Sequence, residues 1–288
     1  MGSGLCRQRR CFNIPFYNPS RSNHTVTDSN PPTTPIQQSE GDANLSPRRK
    51  AWAESNHDEA TRALLARDEK VFLHQSLSTP CLSAVSGSED IYLQDLQGRR
   101  IMDFHGNSVH QVGYGNPRVI EAVQAQLARL PFCPRRFTNH AAVELAERLT
   151  ELAPGDLNKI LFAPAGTAAI GMALKLARYA TGRHKTVSMW DSFHGASLDA
   201  ISIGGESLFR KDVGPLLPGT EHIPPPTRGR CHFNCKDEAH TGCTDYLDYV
   251  LGVQGDVAAV IAEPMRWTTV EPPPEGYWQR VRASCDRH

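Results

Sequence analysis

KILFAPAGTAAIGMALKLARYATGRHKTVSMWDSFHG, Lys159 to Gly195, decides the fold. Its apolar run Ile160-Leu161-Phe162-Ala163 reads as a short buried strand and stops at Pro164. Gly166 and Thr167 then open a helix predicted over Ala168 to Ala180, with Ile170, Ala173, Leu174 and Ala177 at helical spacing. A second strand is predicted over Thr186 to Trp190, and it runs into Phe193-His194-Gly195.

A strand, a small-residue turn and a helix together make a place for an anion. The first backbone N–H groups of a helix lack partners inside it and sit at the positive end of its dipole. Gly166 allows close backbone approach, and the Thr167 hydroxyl adds a hydrogen bond, so a phosphate is the natural guest. The turn lacks the spacing of a Walker loop and the glycines of a dinucleotide fingerprint. The alternative is a plain strand-to-helix connection in which Thr167 only caps the helix.

The 288 residues suffice for one large domain or two small ones, and the formal net charge is zero. Nothing electrostatic calls for a nucleic acid or an anionic membrane, and no apolar run is long enough to span a bilayer. The 8 cysteines are scattered, as expected of free thiols in a reducing, cytoplasmic setting. Cys231, Cys235 and Cys243 do cluster, with His232 and His240 nearby. A metal-binding loop for zinc is one reading, but their spacing is not a paired C-x-x-C and the segment is rich in Pro, Gly and charge, so no metal is expected.

Residues 1–46 are poor in large apolar side chains and are expected to form a disordered tail. Its early arginines weakly resemble those of an organelle transit peptide; a solvated tail is the favoured reading. Residues 47–105 are expected to form an N-terminal arm. It would have a charged helical segment over Ser46 to Gln75 and a hairpin turning at Gln97-Gly98. Trp52, Ala60, Ala63 and Leu64 mark the apolar face of the helical part. A helix is predicted from Pro117 to Leu130 with Val119, Ile120, Val123 and Leu127 inward, and another from His140 to Leu152. Between them lies a loop with Arg135-Arg136, a solvated patch or an anion clamp.

Pro215 to Thr244 reads as a long irregular excursion. A helix beginning at Tyr246 and a final helix over Gly276 to Asp286 flank Val257 to Ala262, a continuous apolar run typical of a buried parallel strand. That strand ends at Glu263-Pro264, and ligands of open α/β sheets sit at the carboxyl ends of strands. The alternation predicts an α/β fold with a parallel-rich sheet flanked by helices over 106–288.

These segments, taken in register, resemble the class III aminotransferase family, pyridoxal-phosphate enzymes of fold type I. The resemblance rests on IYLQDLQGRRIMDFHGNSVHQVGYGNPRVIEAV (Ile91–Val123), FAPAGTAAIGMALKLAR (Phe162–Arg178), Phe193-His194-Gly195 and Ala262-Glu263-Pro264. It implies pyridoxal 5'-phosphate as cofactor. Gly166, Thr167 and Ala168 would hold its phosphate, Phe193 would stack on its ring with His194 beside it, and Glu263 would lie near ring and substrate. The chain departs from the family at Ala165, where Ser is common, and at Ala168, where Glu is common. HQSLSTPCL, LPFCPRRFTN and SMWDSFHGASLDAISIGGE look like the phosphonate-degrading, ammonia-lyase branch of the family. That branch implies an amino-phosphonate substrate, an elimination through a quinonoid form of the cofactor, and Arg135 and Arg136 as candidates for the phosphonate group. The alternatives are an ordinary ω-amine:keto-acid transaminase and a non-catalytic relative that binds the cofactor or a partner.

The family also uses an Asp that pairs with the ring nitrogen and a Lys that forms the Schiff base, both downstream of the last helix seen here. Lys175 and Lys185 are not placed to substitute, so no catalytic residue is assigned. The chain is expected to be a fragment without the small C-terminal domain, inactive alone, with an apolar face left uncovered. A homodimer is expected of the complete enzyme.

Overall fold

The structure, a computed structural model, describes residues 46–74, 80–106, 109–211, 213–227, 231–235, 241–266 and 270–288. The predicted tail lies outside these residues except for Ser46. Two compact units divide between Tyr114 and Gly115.

In the first unit, α1 (Pro47–Asn56) starts where Ser46 Oγ accepts from Arg49 N at 3.2 Å. α2 (Glu59–Val71) starts where Asp58 Oδ1 accepts from Thr61 N at 2.8 Å. The predicted charged helical segment is therefore broken at His57-Asp58, because Asp58 satisfies the N–H groups of a new helix. Its buried positions are His57 and Thr61 rather than the apolar face around Trp52 and Leu64, which stays exposed. His57 Nε2 lies 2.9 Å from Leu82 O.

Three antiparallel strands follow: β1 (Val85–Glu89), β2 (Tyr92–Asp95) and β3 (Arg100–Met102). The predicted turn is present. Gly98 has φ +79°, and Asp95 Oδ1 accepts from Gln97 N and Arg99 N at 3.0 and 2.9 Å. β1 carries no apolar alternation and was not legible in sequence. Beyond β3, Asp103 accepts from Tyr114 Oη at 2.5 Å and from the N–H groups of His105 and Gly106. The Tyr114 hydroxyl, then these N–H groups, hold the Asp103 carboxyl down to about 2.

The second unit opens with α3 (Pro117–Arg129) and α4 (His140–Leu152), each capped by an Asn side chain, Asn116 and Asn139. Val119, Ile120, Val123 and Leu127 were expected inward, but all are exposed. Among the described residues no helix or strand of this unit packs extensively against α3 or α4. Ile160-Leu161-Phe162-Ala163 was expected to be a strand and is not one: it joins no ladder, and Ile160, Leu161 and Phe162 are exposed. Apolar composition is not enough where no neighbouring strand takes up the backbone groups.

The chain then builds α5 (Gly166–Thr181), β4 (Lys185–Met189), α6 (Leu198–Ile203), α7 (Ser207–Arg210) and β5 (Thr220–Ile223). It continues through α8 (Thr241–Gln254), β6 (Val257–Val260) and α9 (Tyr277–Arg287). β4 is central in a parallel sheet ordered β5-β4-β6. β5 lies inside what sequence read as an irregular excursion; four residues between prolines are too few to show a period.

Side chains alternate across β4. Val187 and Met189 join Ile223, Leu247, Leu251, Tyr277 and Val281 in the core beneath α8 and α9. Thr186 and Ser188, equally buried, alternate with them, and Ser188 bonds the loop that follows the strand. Among the described residues no helix is long and apolar enough to cross a membrane.

Candidate functional site

α5 begins unlike α1 to α4. Its N-cap is Ala165, in extended conformation and with no side-chain cap bond, so the N–H groups of its first turn are left for solvent or a ligand. Gly166 is exposed, and a Cβ on it would meet nothing within 4 Å. Thr167 does not cap the helix. Its Oγ1 accepts from Ser197 N at 3.2 Å and lies 2.5 Å from Ser197 Oγ. Ser197 Oγ also bonds Asp199, whose Oδ1 accepts from Ala200 N at 3.0 Å. The Ser197 hydroxyl and the Ala200 N–H, against a smaller burial penalty, hold the Asp199 carboxyl below its usual range.

Gly195 explains the third residue of the aromatic-His-Gly motif. It has φ +132°, and a Cβ there would stand 2.7 Å from Thr167 Cβ. Only glycine allows the two segments this approach. Gly205 does the same at the end of β4, where a Cβ would meet Met189 O at 2.1 Å. Ser192 O accepts from Gly205 N and Glu206 N at 2.9 and 3.0 Å, closing the loop after β4.

Phe193 and Glu263 are brought together. Glu263, just past β6, accepts from Phe193 N at 2.9 Å through Oε1. The Phe193 ring lies 4.4 Å from that of Phe209, tilted by 43°. His194 is buried, with Nε2 3.2 Å from Ser188 Oγ. Burial lowers its pKa and outweighs the opposing Glu263 charge, so the ring is neutral at neutral pH. The sequence reading missed Ser197, Asp199, Ser188 and Phe209. Ser197 and Asp199 do carry a local signal, a Ser-x-Asp pair with Ser197 at the N-cap of α6 and Asp199 in its first turn.

Arg135 and Arg136 are not brought to this cluster by any hydrogen bond or ion pair; both are exposed on a turn closed by Phe137 N to Pro134 O at 2.8 Å. Of the lysines considered, Lys175 is exposed on α5, and Lys185 Nζ pairs with Asp256 at 2.8 Å.

A cleft of about 910 Å³ lies past the carboxyl ends of β4 and β5. Its walls include Trp190, Asp191, Arg210, Lys211, His222 and Tyr246. None of the sequence-predicted site residues lines it. His222 stacks on Trp190 with centroids 4.4 Å apart and takes Arg210 Nη1 at 2.9 Å. His232 and Phe233 close one side, on the cysteine-bearing loop. The spacing that spoke against a metal loop does not keep the cysteines apart: the sulfurs of Cys231, Cys235 and Cys243 lie within 4.8 Å of one another. His240 is outside the described residues.

A parallel sheet with an uncapped helix start and a glycine-packed loop at its carboxyl edge gives an α/β unit of the class whose ligands sit at the carboxyl ends of strands. The pattern of the class-III aminotransferases matches residues 74–288, and the chain belongs to that family. It is 53% identical over 266 residues to the (R)-1-hydroxy-2-aminoethylphosphonate ammonia-lyase of Vibrio splendidus (strain 12B01), covering 87% of this chain and 56% of that protein. It is 34% identical to the acetylornithine aminotransferase of Methanopyrus kandleri, over 67% of this chain and 47% of that one. Among solved structures it resembles a PLP-bound amine transaminase from an uncultivated Pseudomonas species, with TM-score 0.68 and 29% identity over 76% of this chain and 54% of that one. It also resembles an ω-transaminase from Thermomicrobium roseum, with TM-score 0.72 and 28% identity over 81% and 55% of the two chains. The chain thus spans about half the length of the relatives it matches.

Proposed function

We propose that this chain carries the phosphate-holding part of a pyridoxal-phosphate enzyme that releases ammonia from a hydroxylated amino-phosphonate. The observation that carries the reading is the Thr167–Ser197–Gly195 packing beside the uncapped start of α5, in a chain 53% identical to an ammonia-lyase. When bound, the cofactor supplies an electron sink. The chain's own residues hold and orient it. Gly166, Thr167 and Ala168 offer first-turn N–H groups to a phosphate, and the Thr167–Ser197 pair fixes that end. Phe193, tethered through its N–H to Glu263, presents its ring as a stacking surface. Neutral His194 supports the loop from beneath. Arg135 and Arg136 are candidates for the phosphonate in the assembled enzyme. The Schiff-base lysine and the acid that pairs with the ring nitrogen come from sequence beyond these residues, and the working form is a homodimer.

Titrating the chain with pyridoxal phosphate and with pyridoxamine phosphate, read by tryptophan fluorescence, tests the first part. Saturable binding of both is expected, weakened about tenfold or more by Thr167→Ala and less by Thr167→Ser. Equal affinity in all three proteins sinks it. Joining a C-terminal half from a family member tests the second part. The joined protein is expected to release ammonia and phosphonoacetaldehyde with no keto acid present. Turnover only when a keto acid is added makes it a transaminase, and robust turnover by the 288-residue chain alone refutes the placement of the lysine.

A further inference from the structure

We propose that Cys231, Cys235 and Cys243 form a thiolate site for a zinc ion, which clamps the 231–235 loop onto the start of α8. The two segments meet closely. Cys231 Sγ and Cys243 Sγ are 3.4 Å apart, and the three sulfurs lie within 4.8 Å of one another. A disulfide needs about 2.05 Å, and it would leave the third sulfur unused. Three ligands of a tetrahedral zinc, each about 2.3 Å from the ion, stand about 3.8 Å from one another. The observed spacing, 3.4 Å for one pair and at most 4.8 Å for the others, accommodates that value.

The backbone around the cluster is shaped to it. Asn234 has φ +53°, and its N–H donates to Cys231 O at 3.0 Å, which folds the chain back over Cys231. The N–H groups of Phe233 and Cys235 then reach the Cys231 sulfur. Donors of this kind orient and stabilise a metal-bound thiolate. Cys243 lies in the first turn of α8, at the positive end of the helix. Gly242 lets that turn sit directly on the loop, since a Cβ there would be 3.2 Å from both Cys235 Sγ and Phe233 Cβ.

The bland reading is three reduced thiols used as small apolar side chains. Burial alone does not call for backbone donors on the Cys231 sulfur, and it does not bring three sulfurs together from two segments. Cys81, Cys133 and Cys285 show what unclustered thiols look like in this chain. Cys243 is buried, whereas Cys231 and Cys235 are partly exposed, so an ion has a way in. An all-thiolate set selects a soft or borderline ion, and zinc fits it without redox chemistry. The fourth position is open to water or another donor. The ion would brace the wall of the cleft formed by His232 and Phe233, whose ring lies 5.2 Å from that of Tyr246. The proposal does not depend on the cofactor reading.

The purified chain, grown with added zinc and then dialysed exhaustively, is assayed for metal by mass spectrometry. About one zinc per chain is expected. Cobalt exchanged into the site should give a thiolate charge-transfer band and the intense visible bands of tetrahedral coordination. Cys231→Ser and Cys235→Ser, both at partly exposed positions, are expected to stay folded by circular dichroism and to lose stoichiometric metal. Cys243→Ser is buried and serves only as support. No bound zinc with all three thiols open to alkylation, a Cys231–Cys243 disulfide found by peptide mapping, or zinc retained in both Ser variants each overturns the proposal.

Discussion

Gly195 and Thr167 are packed so tightly that no side chain fits between them: a Cβ on Gly195 would lie 2.7 Å from Thr167 Cβ and 2.9 Å from Thr167 Cα. Because one of those atoms is backbone, no rotamer change at Thr167 relieves the overlap. The contact locks the loop after β4 to the start of α5, joining the candidate phosphate site to the aromatic segment.

Gly195→Ala is therefore expected to destabilise the second unit by about 3 kcal/mol, combining an unfavourable positive φ with the overlap. Urea unfolding measures it. A midpoint within error of the parent would show that the loop moves aside at little cost.

Glu263→Ala removes the acceptor of the Phe193 N–H. A loss of about 1–3 kcal/mol is expected from the stranded donor, with much of it recovered in Glu263→Gln, which keeps an oxygen there. Thermal unfolding of the three proteins side by side distinguishes this from loss of charge, in which case Gln and Ala would behave alike.

Burial depresses the titration of His194 and of His222, the latter aided by the Arg210 cation. A histidine with a folded value below its ordinary 6.5 contributes stability that is present above that pH and lost as pH falls beneath it. Stability should therefore decline as the solution is acidified from pH 6.5. His194→Gln should flatten part of that slope. An unchanged slope in the variant would assign the decline to other groups.

Tyr114→Phe is expected to raise the Asp103 titration from about 2 toward its ordinary 3.8, since the tyrosine hydroxyl is the largest cause of the shift. The carboxyl's contribution, present above 3.8 and lost as pH falls toward 2, shrinks accordingly. Carboxyl-detected NMR titration of the two proteins reads the change directly.

Sequence revealed the parts that local pattern controls. The α5 helix, β4 and the acid just past β6 follow from periodicity and strand-end position, whereas Phe193-His194-Gly195 was picked out by the family resemblance. It did not reveal the Thr167–Ser197 bond, because two small polar residues thirty apart leave no periodic trace. Nor did it place Val119, Ile120 and Leu127 correctly: a helix pattern states which face is apolar, not whether anything covers it. Ile160–Ala163 failed for the same reason, since a strand is a property of two segments and one was read alone. The cysteine cluster was visible in sequence, but not that its three sulfurs converge, because spacing does not show the turn at Asn234.

β4 lies between two neighbours, and its outgoing loop is tied to α5 through Gly195 and to the end of β6 through Phe193. Those ties make the span from Gly166 to Glu263 a block for anyone shuffling family members. A crossover inside it would set a glycine from one parent against a threonine from another, or a loop from one against an acid from another. Crossovers placed before Pro164 or after Pro264 leave every one of these pairings within a single parent.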